Sequence, residues 1–81
     1  MEQVREIVAR VFGIPVAQVT DDLSRETFEP WSSLNHLLLI SEIESEMGLQ
    51  FTTDEVLGIK NFGDVKRIVA SKGAAGQGQA G

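Results

Sequence analysis

Apolar residues recur between positions 2 and 12 as Val4, Ile7, Val8, Val11 and Phe12, with charged residues between them. Steps of three and four place these side chains on one stripe of an amphipathic helix. Gly13 is positioned to stop that helix and Pro15 to prevent its resumption. Residues 14–31 hold Pro15, Asp21, Asp22 and Pro30 without a sustained period, which predicts a long loop, functional in itself or carrying a short helical turn. A second helix is predicted from Ser33 to Met47, closed by Gly48. At about 100° per residue, Leu37, Leu39, Ile40, Ile43 and Met47 cluster on an arc expected to face the core, with His36 at its upper end. Asn35, Glu42, Ser45 and Glu46 take the opposite arc, and Leu38 falls among them.

A third, short helix carries its own start signal. Thr52 followed by Glu55 fits a capping box, Phe51 is placed to staple against Val56, and Gly58 ends the element. The last helix begins after Asn61 and uses Phe62, Val65, Ile68 and Val69 as its apolar stripe. From Ser71 onward the composition narrows to Gly, Ala, Gln and one Lys, which reads as a flexible tail over 71–81 after a folded domain of residues 1–70. The sum is an all-α four-helix bundle: three longer helices, one short one and a long first loop.

Composition narrows the function classes. With 42% apolar and 23% charged residues the chain of 81 is globular and forms one domain. Zero cysteines exclude disulfides, thiolate zinc sites and catalysis by a thiol of the chain's own. A net charge of −5 argues against nucleic acid and favours partners with basic surfaces. The start Met-Glu-Gln-Val lacks the pattern of a signal peptide, and the longest apolar run, Leu37–Ile40, is too short to span a bilayer. A cytoplasmic monomer without membrane contact is expected. Asp21 and Asp22 suggest calcium, but counting from Asp21 puts Glu26 where an EF-hand needs glycine and Ser32 where it needs glutamate. No metal site is expected.

The chemistry gathers at the start of the second helix, in Trp31-Ser32-Ser33-Leu34-Asn35-His36-Leu37. The first N–H groups of a helix lack internal partners and carry the positive end of its dipole, so a phosphodiester esterified to a serine there is stabilised. The same position suits Ser32 or Ser33 as a plain N-cap. The sole histidine, His36, lies three residues from Ser33 on the same helix, side by side rather than converging on a substrate, and reads as a packed residue. Trp31, after Pro30, reads as an anchor packing the loop onto the second helix.

The chain resembles the acyl and peptidyl carrier proteins over about residues 2–70. The resemblance rests on Phe12-Gly13-Ile14, then Val19-Thr20-Asp21-Asp22-Leu23, then Trp31-Ser32-Ser33-Leu34 with His36-Leu37, then Ile43-Glu44-Ser45-Glu46-Met47-Gly48-Leu49, and on Thr52-Thr53-Asp54-Glu55 and Phe62-Gly63-Asp64-Val65 at the starts of the last two helices. It implies a non-catalytic carrier of the carrier-protein fold, with Ser33 as the attachment point of 4′-phosphopantetheine because Leu34 follows it as the family motif requires. A phosphopantetheinyl transferase would supply the group from coenzyme A, and its thiol would hold acyl intermediates as thioesters for loading and processing enzymes. Ser32, Leu34, Asn35, Leu38, Glu42 and Ser45 would form the surface those partners meet. The Trp-x-Ser-Leu-x-His-Leu pattern looks closer to stand-alone carriers of polyketide or nonribosomal peptide pathways than to fatty-acid carriers.

Two departures qualify that picture. Ser32 stands where the family usually has aspartate, and Asn35 and Leu38 stand where fatty-acid carriers tend to be acidic, leaving the acidity to Glu42, Glu44 and Glu46. The alternative is a helical protein–protein interaction module that keeps the carrier fold and is never modified.

Overall fold

The computed structural model describes the backbone of residues 2–79 and the side chains of residues 2–73. Its elements are α1 (Glu2–Phe12), a 3-10 turn (Val16–Gln18), α2 (Ser33–Met47), α3 (Thr53–Gly58) and α4 (Phe62–Gln79). Among the described residues the fold is all-helical with four helices, as the apolar periods predict. The only strand-like pairing there is an isolated antiparallel bridge between Ser24 and Asn61.

Each helix end has a local cause. Gly13 and Gly48 take positive φ, where side chains with a Cβ are strained. Gly48 closes α2 by donating its N–H to the Glu44 carbonyl at 3.0 Å. The capping box of α3 is complete: Thr52 Oγ1 accepts from Glu55 N–H at 3.1 Å, and Glu55 Oε1 accepts from Thr52 N–H at 2.8 Å. Both bonds satisfy helix-start donors that no earlier turn can reach.

The core is drawn from α1, α2, α4 and the connecting segments, with Val56 of α3 packed half-buried against it. Val4, Ile7 and Val8 of α1 meet Leu39, Ile40 and Ile43 of α2, with Phe62, Val65 and Val69 of α4 and the loop residues Val19, Trp31 and Ile59 filling the rest. Val11 and Ile68, expected on the apolar stripes, are half-buried at its margin. One expectation is overturned. Leu37 does not face the core but is 59% exposed. The buried set of α2 is His36, Leu39, Ile40 and Ile43, with Met47 half-buried; Leu37 stands about 100° from His36, just past the edge of that arc.

The long first loop is fastened rather than slack. Arg25 N–H donates to the Lys60 carbonyl (3.0 Å), Phe62 N–H to the Leu23 carbonyl (2.9 Å) and Gly63 N–H to the Asp21 carbonyl (2.9 Å). Asp21 also pairs with Lys66 at 2.6 Å, and the Arg5 guanidinium donates to the Val19 carbonyl. The loop is thereby tied to the connection between α3 and α4. At the other end of the chain, Lys72 pairs with Glu55 at 2.7 Å and lies over the Phe51 ring, while the rest of the 71–81 segment falls mostly outside the described side chains.

The αL closure of α2 yields a paired prediction. Gly48→Ala should destabilise the protein by about 1–2 kcal/mol. Gly58→Ala, at an ordinary φ with open space around it, should be neutral or stabilising by about 0.5 kcal/mol. Urea denaturation midpoints of the two variants provide the check.

Candidate functional site

The structure gives the two serines at the head of α2 different roles. Ser32 is the N-cap: its backbone is extended and its Oγ accepts from Asn35 N–H at 3.2 Å. Ser33 is the first residue inside the helix, is exposed, and its hydroxyl enters no hydrogen bond among the described residues. The Ser33 and Leu34 N–H groups lie in the first turn, where no preceding carbonyl can reach them. Donors, dipole and a free hydroxyl therefore meet at one point, which fits a phosphodiester on Ser33.

The residue just before this pair fixes its position. Trp31 is 2% exposed, and its Nε1–H donates to His36 Nδ1 at 2.9 Å. His36, 3% exposed, is bonded through Nε2 to the Val56 carbonyl at 2.8 Å. Because Nδ1 accepts, the proton of the neutral ring sits on Nε2 and is donated to Val56. That carbonyl belongs to the last turn of the short helix α3, where intrahelical donors have run out. The imidazole thus ties the loop, α2 and α3 together and carries no catalytic geometry toward Ser33. Burial pushes its pKa down, opposed by the Val56 carbonyl and reinforced by the nearby positive charge of Arg25.

The other residues expected at the partner surface divide into two groups. Leu34 (69% exposed) and Leu38 (49%) lie open on α2, as does Ser45. Asn35 is half-buried, and its Nδ2 donates to the Pro30 carbonyl at 2.7 Å. Glu42 pairs with Arg10 of α1 at 3.2 Å, and Glu46 pairs with the same guanidinium. Glu44 Oε2 accepts from Phe51 N–H at 2.9 Å. The acidity of the far end of α2 is therefore largely engaged within the chain.

Sequence reasoning missed two exposed leucines. Leu37 joins Leu34 and Leu38, at spacings of three and four residues. Leu57, at 71% exposure on α3, is the other. The i, i+3, i+4 pattern of Leu34, Leu37 and Leu38 was a usable signal, hidden because Leu37 sits at the border of two apolar arcs.

Trp31, Ser32 and Ser33 also form one end of an open groove of about 650 Å³, bounded by residues 24–29 of the first loop and residues 57–60. Among the described residues no helix is long and apolar enough to cross a membrane, and no cluster of His, Asp and Glu is arranged to hold a metal ion.

Comparison with known proteins finds that the chain is similar to a curated acyl carrier protein of Saccharopolyspora erythraea. The two are 27% identical over 67 residues, covering 83% of this chain and 70% of the relative. No family model matches the chain. The resemblance to acyl carrier proteins read from the residues is borne out by this relative.

The His36 relay sets a pH dependence. A buried group whose folded pKa is lowered adds stability that is complete above its ordinary value of 6.5 and is lost as pH falls through the folded value. Urea midpoints should therefore hold steady above about pH 7 and drop progressively as pH falls below about 6.5. Trp31→Phe leaves Nδ1 unpaired and should cost about 1–3 kcal/mol at neutral pH while flattening that dependence.

Proposed function

We propose that this protein is an acyl carrier whose Ser33 bears 4′-phosphopantetheine, and that it presents the attached acyl group to partner enzymes in polyketide, nonribosomal peptide or related biosynthesis. The observation that carries the reading is the division of labour between the serines: Ser32 is spent as the cap, and the exposed Ser33 hydroxyl is free at the head of a helix with open N–H donors. The similarity to an acyl carrier protein supports it.

In the loading reaction Ser33 Oγ forms a bond to phosphorus as the pyrophosphate of coenzyme A breaks. Its proton passes to the transferase, and adenosine bisphosphate leaves. The bound group would supply a thiol, which this cysteine-free chain lacks. The chain's own contribution is placement. Ser32 holds the helix start, the Ser33 and Leu34 N–H groups stabilise negative charge, and the Trp31–His36 bond keeps the serine at a fixed exit from the bundle. The partner face comprises Leu34, Leu37 and Leu38 of α2 with Ser32, Asn35, Glu42 and Ser45 around them, and the protein works as a cytoplasmic monomer.

One observation favours a second reading. Ser32 occupies the place where the family usually has aspartate, a residue that transferases meet, and its loss suits an unmodified interaction module.

Intact mass after incubation with coenzyme A, magnesium and a broad-specificity transferase separates the two. The carrier gains one phosphopantetheine and Ser33→Ala gains none. Absence of any gain with two transferases, beside a carrier that loads, would leave the interaction module. A further expectation concerns the face: Leu38→Glu should lower kcat/KM for loading by roughly tenfold. Its urea stability should change by less than about 0.5 kcal/mol. Unfolding without a selective loss would show that Leu38 serves the core.

A further inference from the structure

Both ring nitrogens of His36 are engaged, and a proton acts on the two bonds in opposite directions. In the neutral ring Nδ1 accepts from Trp31 Nε1–H at 2.9 Å, and Nε2–H donates to the Val56 carbonyl at 2.8 Å. Protonation puts a second N–H on the ring at Nδ1, so two donors then face each other across the Trp31 contact. The same charge strengthens the bond from Nε2–H to the carbonyl. The charge that acts on the ring is Arg25, which lies on the first loop with Trp31. Both repulsions therefore fall on the loop, and the one attraction falls on α3.

The other elements around the ring leave that asymmetry intact. α3 brings Glu55 next to Val56, but its carboxylate is taken by Lys72 and by the Thr52 N–H, and Asp54 is exposed. α1 reaches the relay through Phe12, and α2 has no acid or base other than His36 between Ser33 and Ser41. Glu26 and Glu29 of the loop are exposed and border Trp31 in the wall beside Ser33. Backbone bonds limit what can move. Arg25 N–H holds the Lys60 carbonyl at 3.0 Å, and Ser32 stays capped onto α2 through Asn35 N–H. Between those limits lie residues 26–31, where the exposed bond from Asn35 Nδ2 to the Pro30 carbonyl is the remaining polar tie to α2.

We propose that His36 is a positioning residue for the surroundings of Ser33: protonation of its ring releases Trp31 and residues 26–31 while α2 stays joined to α3, so the wall beside Ser33 is lost to partners before the bundle unfolds. Ser33 keeps its place as the first residue of a capped helix. The release therefore acts on how a partner docks and not on the reaction at the hydroxyl. The effect on loading rests on the carrier reading; the selective opening of one bond does not.

The test follows backbone amide, Trp31 indole and His36 ring-nitrogen shifts of the full chain from about pH 7.5 to about pH 5, with loading of Ser33 measured over the same range. His36→Gln is the reference: it offers a carbonyl to Trp31 and an amide to Val56 and takes no proton. Dividing by its rates cancels the pH dependence of the transferase. As His36 titrates, below its ordinary value of 6.5, the indole N–H and the amides of residues 26–31 should shift while those of Val56, Leu57 and α1 hold. Relative to His36→Gln, KM for the carrier should rise about threefold or more while kcat holds constant. Should His36→Gln fail to fold, Trp31→Phe replaces it: without an N–H to oppose the ring proton, its KM and the amides of residues 26–30 should ignore the titration. Trp31 and Val56 signals that move together would overturn the proposal. So would a flat KM ratio while the α1 amides report a folded chain, or unfolding that precedes the titration. A chain that takes no group at any pH fails the carrier reading alone. The unmodified chain then decides: movement confined to residues 26–31 upholds the release, and its absence overturns it.

Discussion

A single neutral imidazole organises the functional end of this bundle. His36 must accept from Trp31 on one nitrogen and donate to the Val56 backbone carbonyl with the other, so only one tautomer serves, and an apolar residue in place of Trp31 leaves the buried Nδ1 unpaired. Trp31 in turn packs on Phe12 with ring centroids 5.2 Å apart, and Phe12 meets Phe28 edge-on at 5.5 Å. The end of α1, the loop, α2 and α3 therefore converge on one aromatic cluster. Ser32 and Ser33 follow Trp31 directly, so the placement of the serine pair is inherited from that cluster.

The second constraint is the first loop, which in a domain this small must be held by something other than its own secondary structure. Its ion pair among the described residues, Asp21–Lys66, is partly exposed, and a pair of that kind contributes little. The backbone bonds from residues 21–25 to residues 60–63, together with fully buried Val19, are the stronger restraint. They close the side of the molecule where α3 is only six residues long. They also create the groove beside Ser33, because the strap crosses the bundle without filling the space between itself and Leu57.

Much of this was legible in the chain. Helix starts and stops follow chemistry local to a few residues, so Gly13, Gly48 and the Thr52–Glu55 box marked boundaries that the fold keeps. The anchor role of Trp31 was legible from its position after Pro30. What local reasoning could not supply were partners distant in sequence. His36 was readable as a packed residue, but the Val56 carbonyl twenty residues away was not, nor was the bond from Phe51 N–H that engages Glu44. Leu37 was misplaced because it lies at the border of the core arc, about 60° beyond Ile40 on the wheel, where hydrophobicity alone does not decide between core and surface. The choice between Ser32 and Ser33 rested on a motif in the sequence; the geometry adds an independent asymmetry, a capped hydroxyl against a free one.

The distribution of charge bears on how such a molecule meets its partners. Glu42, Glu44 and Glu46 are engaged by Arg10 and by a backbone donor, so the face of α2 near Ser33 is apolar rather than acidic. The net charge of −5 still steers encounter with basic surfaces, but that effect fades beyond a Debye length of about 8 Å in physiological salt. Close contact then depends on Leu34, Leu37 and Leu38, each with roughly half or more of its surface still in water. Finishing their burial is worth about 1 kcal/mol apiece. Their sum falls short of the cost of immobilising two proteins, which is at least about 4 kcal/mol. Such a face supports complexes that form and separate readily, and in the proposed function any durable hold on a partner would come from the group carried at Ser33. A carrier that visits several enzymes in turn needs that balance, since a docking helix tight enough to bind unaided would stop it at the first.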